Sequence, residues 1–420
     1  MQFSLLPDFL RSKTDDPLLD KVSDLIDDEY IDDFLADCYP HYSKNVGRPP
    51  YWPSSIIRMH LLFFLKGIPS FNKLSEAVKQ TPAYMKFCGF VSKEEVPSPG
   101  QLSQFRKRVG EKKIKHILSK YMKYFSSKID PETLPAVVVL IDSTPVETYS
   151  SEKKRKRCDH TEPCNCPETR SDPDARTGWR KPDKYRKEFF LGYRKHSVYL
   201  LHPDTEYRLP LYSEIHPANV PDIEILEPLL DKVVNIFPFK IDYALVDQGY
   251  YDFDLFNKIQ KEKGISIHVK PKKNIKVNIP VDSNKIPICP EGHTLEWVEF
   301  DKDELEHTYR CPFSNPETQC IRASTCDGQF QIPMSENPVL FSAIPHHSWI
   351  SRRFYRLRKR IETEFGILIN SFLIDRLKFR GLPSYRFMFT MADLAFLFKR
   401  VSQWDDEIVN RPHSIYSSLT

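Results

Sequence analysis

The pattern of apolar and polar positions changes character twice along the chain. Up to about residue 130 the apolar positions recur at helical spacing. Ser54 to Lys66 reads as a helix stopped at Gly67, and a second, short helix covers Asn72 to Gln80. A third begins near Gln101, after Pro97-Ser98-Pro99-Gly100, and carries Gln104, Arg106, Lys107 and Arg108 on through Lys120. Beyond Pro131 the spacing gives way to a continuous apolar run, Ala136 to Ile141, that ends on Asp142. Such a run is the mark of a strand buried on both faces. Phe189–Leu201, Tyr207–Ile215, Ile241–Asp247 and Ile265–Val269 read as further strands, with a turn at Pro203-Asp204-Thr205 and helices over Val220–Ile236 and Asp252–Lys263. The order β-β-β-α-β-α-β predicts an α/β fold, a mixed sheet with flanking helices. Residues 271–346 then break the pattern with Pro, Asn, Cys and short β-like runs, and read as a mainly β, Cys-containing insertion. A strong helix from Trp349 to Asn370 and a more apolar one from Pro383 to Val401 follow.

Four parts result. Residues 1–130 form an N-terminal all-α domain, acidic over 1–40 and helix-turn-helix-like over 50–128. Residues 131–270 are the first part of the sheet domain, 271–346 the insertion, and 347–420 the second part of the sheet domain with C-terminal helices. An ordinary small helical bundle is the other reading of 50–128.

The net charge of +4 in 420 residues says little by itself, because the charge is segregated. Residues 1–40 hold eleven acids and three bases, residues 101–128 nine bases and one acid, and residues 351–400 twelve bases and four acids. Basic blocks of this kind, Arg106, Lys107 and Arg108 among them, are the footprint of a polyanion such as double-stranded DNA, or simply solvated helix faces. A 40% hydrophobic content excludes a disordered chain. No run reaches the ~18 apolar residues of a membrane span, and no basic segment followed by an apolar one marks a secretory leader. A cytoplasmic protein with no membrane partner is expected.

Asp142 and Asp247 each end a strand that reads as buried. Carboxylates at strand ends of one sheet converge on a single edge, and a buried charge requires a partner. A hard divalent cation with oxygen ligands is the obvious one; a strand-end Asp capping a turn is the plain alternative. A third acid comes from the late basic helix. If Ile361, Phe365, Leu368 and Phe372 form its buried stripe, Tyr355, Arg358 and Glu362 share one flank and Glu364 the other. Glu362 is the expected partner, with Glu364 in reserve.

These residues resemble a family. Asp142, Asp247 and Glu362, separated by 105 and 115 residues, look like the acid triad of the DDE transposases of bacterial insertion sequences, mobile elements whose enzyme has a ribonuclease-H-like core. Tyr355-x2-Arg358-x3-Glu362 matches the Tyr-Arg-Glu part of the family's signature, while Ile369 stands where the family has Lys. Ile141-Asp142-Ser143-Thr144, Val246-Asp247-Gln248-Gly249-Tyr250 and Ile361-Glu362-Thr363-Glu364-Phe365-Gly366 look like the surroundings of the acids. Gly47-Arg48-Pro49-Pro50-Tyr51, Asp172-Pro173-Asp174-Ala175-Arg176 and Gly192-Tyr193-Arg194-Lys195-His196 also resemble the family, over roughly residues 40–400.

The resemblance implies two Mg²⁺ (or Mn²⁺) ions per active site held by Asp142, Asp247 and Glu362, cleavage at transposon ends, and transfer of the freed 3′-OH into target DNA. It implies phosphate contacts by Tyr355 and Arg358, recognition of terminal inverted repeats by the N-terminal domain, a homodimer on paired ends, and action on the bacterial nucleoid. Competing readings are a ribonuclease-H-like nuclease without strand transfer and a non-catalytic DNA-binding derivative of a transposase.

Two cysteine clusters remain. Cys289, Cys311, Cys320 and Cys326 lie in the insertion and suit a structural Zn²⁺, or are reduced, partly buried thiols. In related transposases an aromatic from such an insertion stacks on a flipped base. Trp297 is the candidate, with a core role as the alternative. Cys158, His160, Cys164 and Cys166 follow Lys153-Lys154-Arg155-Lys156-Arg157 and read as residues that simply decorate a mobile basic loop, a second zinc site being the alternative and a grip on flanking DNA a further reading of the basic run.

Overall fold

A computed structural model describes residues 13–39, 51–129, 134, 136–156, 158–161, 163–181, 188–202, 207–272, 274–313, 320–322 and 325–403. The Pro/Gly-marked junction at 44–50 and the turn at 203–205 lie outside them.

The acidic segment folds as two short helices, α1 (Pro17–Ser23) and α2 (Asp28–Leu35), each with an aspartate side chain, Asp16 or Asp27, accepting from its first-turn amides. They bury Leu19, Val22, Ile31 and Leu35 against α3 (Pro53–Leu65) and the helices that follow, α4 (Phe71–Gln80), α5 (Pro82–Phe87) and α6 (Pro99–Ser126). α3 is buried along its whole length. The acids make that tolerable. Asp28 takes both Nε and Nη2 of Arg58 at 2.8 and 2.7 Å, a bidentate pair on an arginine only 2% exposed. Asp32 caps α3 from a distance, accepting from the Ser54 amide at 2.7 Å and hydroxyl at 2.9 Å. α6 starts on a capping box, Ser98 with Gln101, and is interrupted at Gly110, whose φ of 70° a side chain would resist.

The sheet has six strands: β1 (Val138–Glu147), β2 (Arg176–Trp179), β3 (Phe189–Leu201), β4 (Arg208–Pro217), β5 (Tyr243–Val246) and β6 (Ser266–Val269). β3 lies antiparallel between β1 and the pair β2/β4, while β5 and β6 continue parallel on the other side of β1. The path β4-β3-β1-β5-β6, with only its second member along the chain reversed, is the ribonuclease-H-like order. Helices α7 (Asp222–Ile236) and α8 (Phe253–Lys263) supply the crossovers. β2 was not expected: four residues in a polar stretch pair with the first residues of β3.

The insertion holds a separate three-stranded antiparallel sheet, β7 (Glu296–Asp301), β8 (Glu306–Arg310) and β9 (Gln329–Pro333), on its own small core around Tyr309, Ile332 and Phe341. The helix expected over Trp349–Asn370 is two, α9 (Trp349–Arg358) and α10 (Arg360–Asn370), divided at Lys359. The last, α11 (Leu382–Val401), is buried nearly throughout, packs on α3, α6 and β4, and joins helices and sheet into one apolar core. Its Asp393 meets Lys195 of β3 at 2.9 Å, both buried. Residue 130 thus divides two sequence patterns and not two cores.

Candidate active site

Parallel pairing of β1 with β5 ends at Leu140↔Leu245. Asp142 and Asp247 each stand two residues further on. Equal offsets on neighbouring parallel strands put both carboxylates on one face, about 5 Å apart strand to strand. Asp142 does not end its strand, as expected from sequence: β3 keeps pairing with β1 past Asp142↔Ser197 to Glu147. It is β5 that stops, so Asp142 borders the gap left by Asp247 turning into the single 3₁₀ turn Gln248–Tyr250.

The third side comes from the α9/α10 junction. Arg358 reaches Asp142 Oδ2 with Nη1 at 3.3 Å, and with Nη2 approaches Asp247 Oδ1 at 3.6 Å and Glu362 Oε1 at 4.0 Å. One guanidinium therefore sits among all three expected acids. The break at Lys359 leaves Arg358 and Glu362 on the same side. Ile361, Phe365, Leu368 and Phe372 are all buried. The Glu362 side chain is 66% exposed. Glu364 is wholly buried and faces away, paired with Arg208 at 2.6 Å and Arg400 at 2.5 Å.

Burial pushes the Asp142 carboxyl up to about 7, helped by the nearby charges of Asp247 and Asp222; the Ser143 amide and Arg358 oppose this. The site is therefore short of positive charge even with Arg358 in place. Carboxylates alone, hard oxygen donors with one held back from ionising, fit a hard divalent cation.

Behind the acids, residues of the family-like motifs gather around one acid that sequence reasoning missed. Asp222, the first residue of α7, accepts from Ser143 Oγ at 3.4 Å and lies 3.8 Å from Arg194 Nε. Arg194 donates to Ser143 Oγ at 3.2 Å. His196, held down to about 3 by burial, places Nδ1 2.8 Å from the buried Tyr250 hydroxyl. A Cβ on Gly249 would stand 2.7 Å from Asp222 Oδ2, so a larger residue there displaces the Asp222 carboxylate. The available signal was an acid in the first turn of the helix entering β5, at the same sheet edge as Asp142.

The expected nucleic-acid residues fare differently. Tyr355 is tucked in: its hydroxyl donates to the Val269 carbonyl at 2.9 Å and lies 3.0 Å from His346 Nδ1. Arg106 turns inward over the Phe379 ring, 4.9 Å from its centroid, with Nε buried. Lys107 and Arg108 are exposed, Arg108 lying over Tyr39 at 4.8 Å. Trp297 packs on the insertion core and lies 3.0 Å from His307 through Nε1.

Cys289, Cys311, Cys320 and Cys326 line one cleft of about 430 Å³. Among the described residues, however, the set of His, Cys, Asp or Glu ligand atoms that converges within 4.8 Å is Cys158, His160, Cys164 and Cys166. The stretch read as a plain basic loop is thus the tighter cluster.

A ribonuclease-H-like sheet with acids gathered at one edge defines a phosphoryl transferase acting on nucleic acid. Residues 7–108 match the model of the Transposase domain (DUF772), and residues 133–398 match that of the Transposase DDE domain. The second covers more than half of the chain, which belongs to the DDE-domain transposases. Comparison with curated proteins gives no match. The chain is accordingly an insertion-sequence-type DNA transposase, an enzyme of metal-dependent DNA cleavage and strand transfer. Neither the nuclease without strand transfer nor the non-catalytic derivative finds support. No helix among the described residues is long and apolar enough to cross a membrane.

Proposed function

We propose that Asp142, Asp247 and Glu362 are the catalytic carboxylates and hold two Mg²⁺ (or Mn²⁺) ions. The observation that carries this is the single guanidinium of Arg358 within 3.3–4.0 Å of all three: a cation already occupies the place where the acids need one. Such ions, when bound, activate the attacking hydroxyl and stabilise charge on the scissile phosphate.

The protein's own residues do the rest. Asp142 gives up its proton as positive charge enters. Ser143, Arg194 and Asp222 brace the strand beside it. Arg358, released from the acids, turns to the phosphate of the transposon end, a bidentate partner for which guanidinium is suited. Lys107, Arg108 and the exposed Arg352 and Arg356 of α9 neutralise the backbone of terminal inverted repeats and target DNA. A homodimer pairs the two ends, and the enzyme works on the nucleoid in the bacterial cytoplasm. Cys289, Cys311, Cys320 and Cys326 line one cleft of the insertion, where they would hold a structural zinc ion only after drawing closer together. Trp297 holds the core of the insertion sheet, and Tyr355 positions α9 through its two internal contacts.

The test is cleavage and joining of end-containing DNA by purified protein. Asp142→Asn, Asp247→Asn and Glu362→Gln abolish both while retaining end binding; normal cleavage by Asp247→Asn refutes the triad.

A further inference from the structure

We propose that Cys158, His160, Cys164 and Cys166 form a structural Zn²⁺ site that pins a basic DNA-facing loop beyond the far end of the strand that carries Asp142. The loop leaves β1 just after Glu147 and returns at β2. Its base is built firmly. Buried Asp172 accepts from Thr148 Oγ1 at 2.8 Å and from the Tyr193 hydroxyl at 2.6 Å, and Ser150 and Ser171 meet through their hydroxyls at 2.6 Å. Above that base, Arg155 and Thr169 exchange backbone hydrogen bonds of 3.0 and 2.9 Å.

Beyond this bridge no apolar side chain can hold the loop. Residues 151–170 contain no Val, Leu, Ile, Met, Phe, Tyr or Trp, and none of the described residues over 151–169 is buried. A segment without a core of its own needs a covalent or metal staple to stay folded. Four ligand atoms nevertheless converge within 4.8 Å of one another, with Cys158 Sγ 3.2 Å from Cys164 Sγ and Cys166 Sγ 3.4 Å from His160 Nδ1. With Zn–S near 2.3 Å and Zn–N near 2.0 Å, ligand-to-ligand edges of a tetrahedral site are roughly 3.5–3.8 Å, so little movement closes the cluster on an ion. Three thiols and an imidazole, with no carboxylate among them, select zinc over the hard cations of the DDE site. All four residues are available, the three cysteines being free thiols.

The consequence lies in what the ion holds. In sequence Lys153-Lys154-Arg155-Lys156-Arg157 runs directly into Cys158, and Lys156 Nζ donates to the Cys164 carbonyl. Fixing the cysteines fixes this ridge on the loop that continues the strand carrying Asp142, where it meets DNA flanking the reacting phosphate.

Zinc content of the full-length protein, purified under reducing conditions, tests the site, together with the absorption bands of tetrahedral cobalt–thiolate after Co²⁺ exchange. Cys158→Ser/Cys164→Ser carries one zinc fewer than the parent protein, whereas Cys289→Ser/Cys311→Ser keeps that ion. His160→Cys retains it as a four-thiolate site with an altered cobalt spectrum, which separates ligation from misfolding. The same Cys158→Ser/Cys164→Ser variant binds end DNA about tenfold more weakly, with a shallower salt dependence. Unchanged zinc content in that variant, or a Cys158–Cys164 disulfide in protein prepared without oxygen, overturns the site. Unchanged DNA affinity overturns the role of the ridge.

Discussion

Glu362 and Glu364 stand two residues apart on α10 and divide chemistry from stability. Glu364 is wholly buried, with Oε1 2.6 Å from Arg208 Nε and its two oxygens 2.5–2.6 Å from Arg400 Nη2. Glu364→Gln keeps the shape of the side chain but sets a neutral amide against two guanidiniums. Breaking a fully buried ion pair costs roughly 3–5 kcal/mol. The Arg208 and Arg400 side chains keep some solvent contact, 14% and 19% exposed, which places the cost near the lower end, about 3 kcal/mol. A 420-residue chain has an unfolding entropy of about 0.9 kcal/mol/K. The expected fall in thermal midpoint is therefore about 3 °C. Glu362→Gln, at a mostly exposed position, stays within about 1 °C. Thermal unfolding of both variants, measured with cleavage of end DNA well below the transition, completes the experiment. Glu364→Gln is less stable and cleaves; Glu362→Gln is as stable as the parent and does not cleave. If Glu364→Gln leaves the midpoint unchanged and abolishes cleavage, the assignment of the two glutamates is reversed and the geometry at Arg358 has been misread.

The other expectations concern the same sheet edge. Gly249→Ala drives a methyl to 2.7 Å from Asp222 Oδ2 and pushes that carboxylate off Ser143 and Arg194. Its loss of cleavage should match that of Asp222→Asn, and the double variant should be no worse than either single one; additive losses would mean the two do not act together. Asp142, raised to about 7 when folded, binds a proton that the unfolded chain releases near 3.8. The ion-free protein is thus favoured at low pH, and this contribution is lost as pH rises from about 4 to 7. Cation binding has the opposite dependence, because the carboxyl must ionise first. Mn²⁺ affinity should strengthen up to about pH 7 and then level off, and Asp142→Asn should remove the trend; a flat profile below pH 7 would refute the shifted carboxyl. Tyr355→Phe should cost about 1 kcal/mol for the hydrogen bond to Val269 and leave end-DNA affinity unchanged. A drop in affinity at unchanged stability would return Tyr355 to the DNA.

What was legible in the sequence is what short-range patterning determines. The apolar run before Asp142 could only be a buried strand, and the Ile361, Phe365, Leu368 and Phe372 stripe fixed which flank Glu362 would occupy. What was not legible depended on distant partners. Nothing local to Arg106-Lys107-Arg108 reveals that Phe379 draws the first inward and leaves the others outside. Asp222 joins the site because α7 begins where β1 and β5 part, a matter of crossover geometry. β2 is too short and polar to show a period of two, and takes its form from β3. From residue type alone the insertion cysteines suit zinc and the second cluster, beside a run of five bases, reads as part of a basic loop. The backbone bridge between Arg155 and Thr169, which folds that loop back on itself, has no signature in residue type.

Segregated charge takes on a different meaning once the chain is folded. An acidic segment facing a basic protein invites the idea of a detachable mimic of DNA that shields the binding face or meets a second subunit. The structure ties four of these acids down. Asp28 neutralises the buried Arg58, Asp32 caps α3, Asp16 pairs with Lys66, and Asp37 pairs with Lys113. Leu19, Val22, Ile31 and Leu35 are buried beside them. Removing the segment would strip α3 of its cap and its counter-ion and open the core, so weakened DNA binding after such a deletion would report a damaged fold. Among the described residues, Lys113 is the one member of a basic block that the segment touches through an ion pair, and its partner Asp37 is largely exposed, where a single pair is worth little. Lys107, Lys112, Arg352 and Arg356 remain on the surface. Asp16, Asp28 and Asp32 thus serve the helical region itself, while Lys107, Lys112, Arg352 and Arg356 stand outside, where a phosphate backbone would meet them.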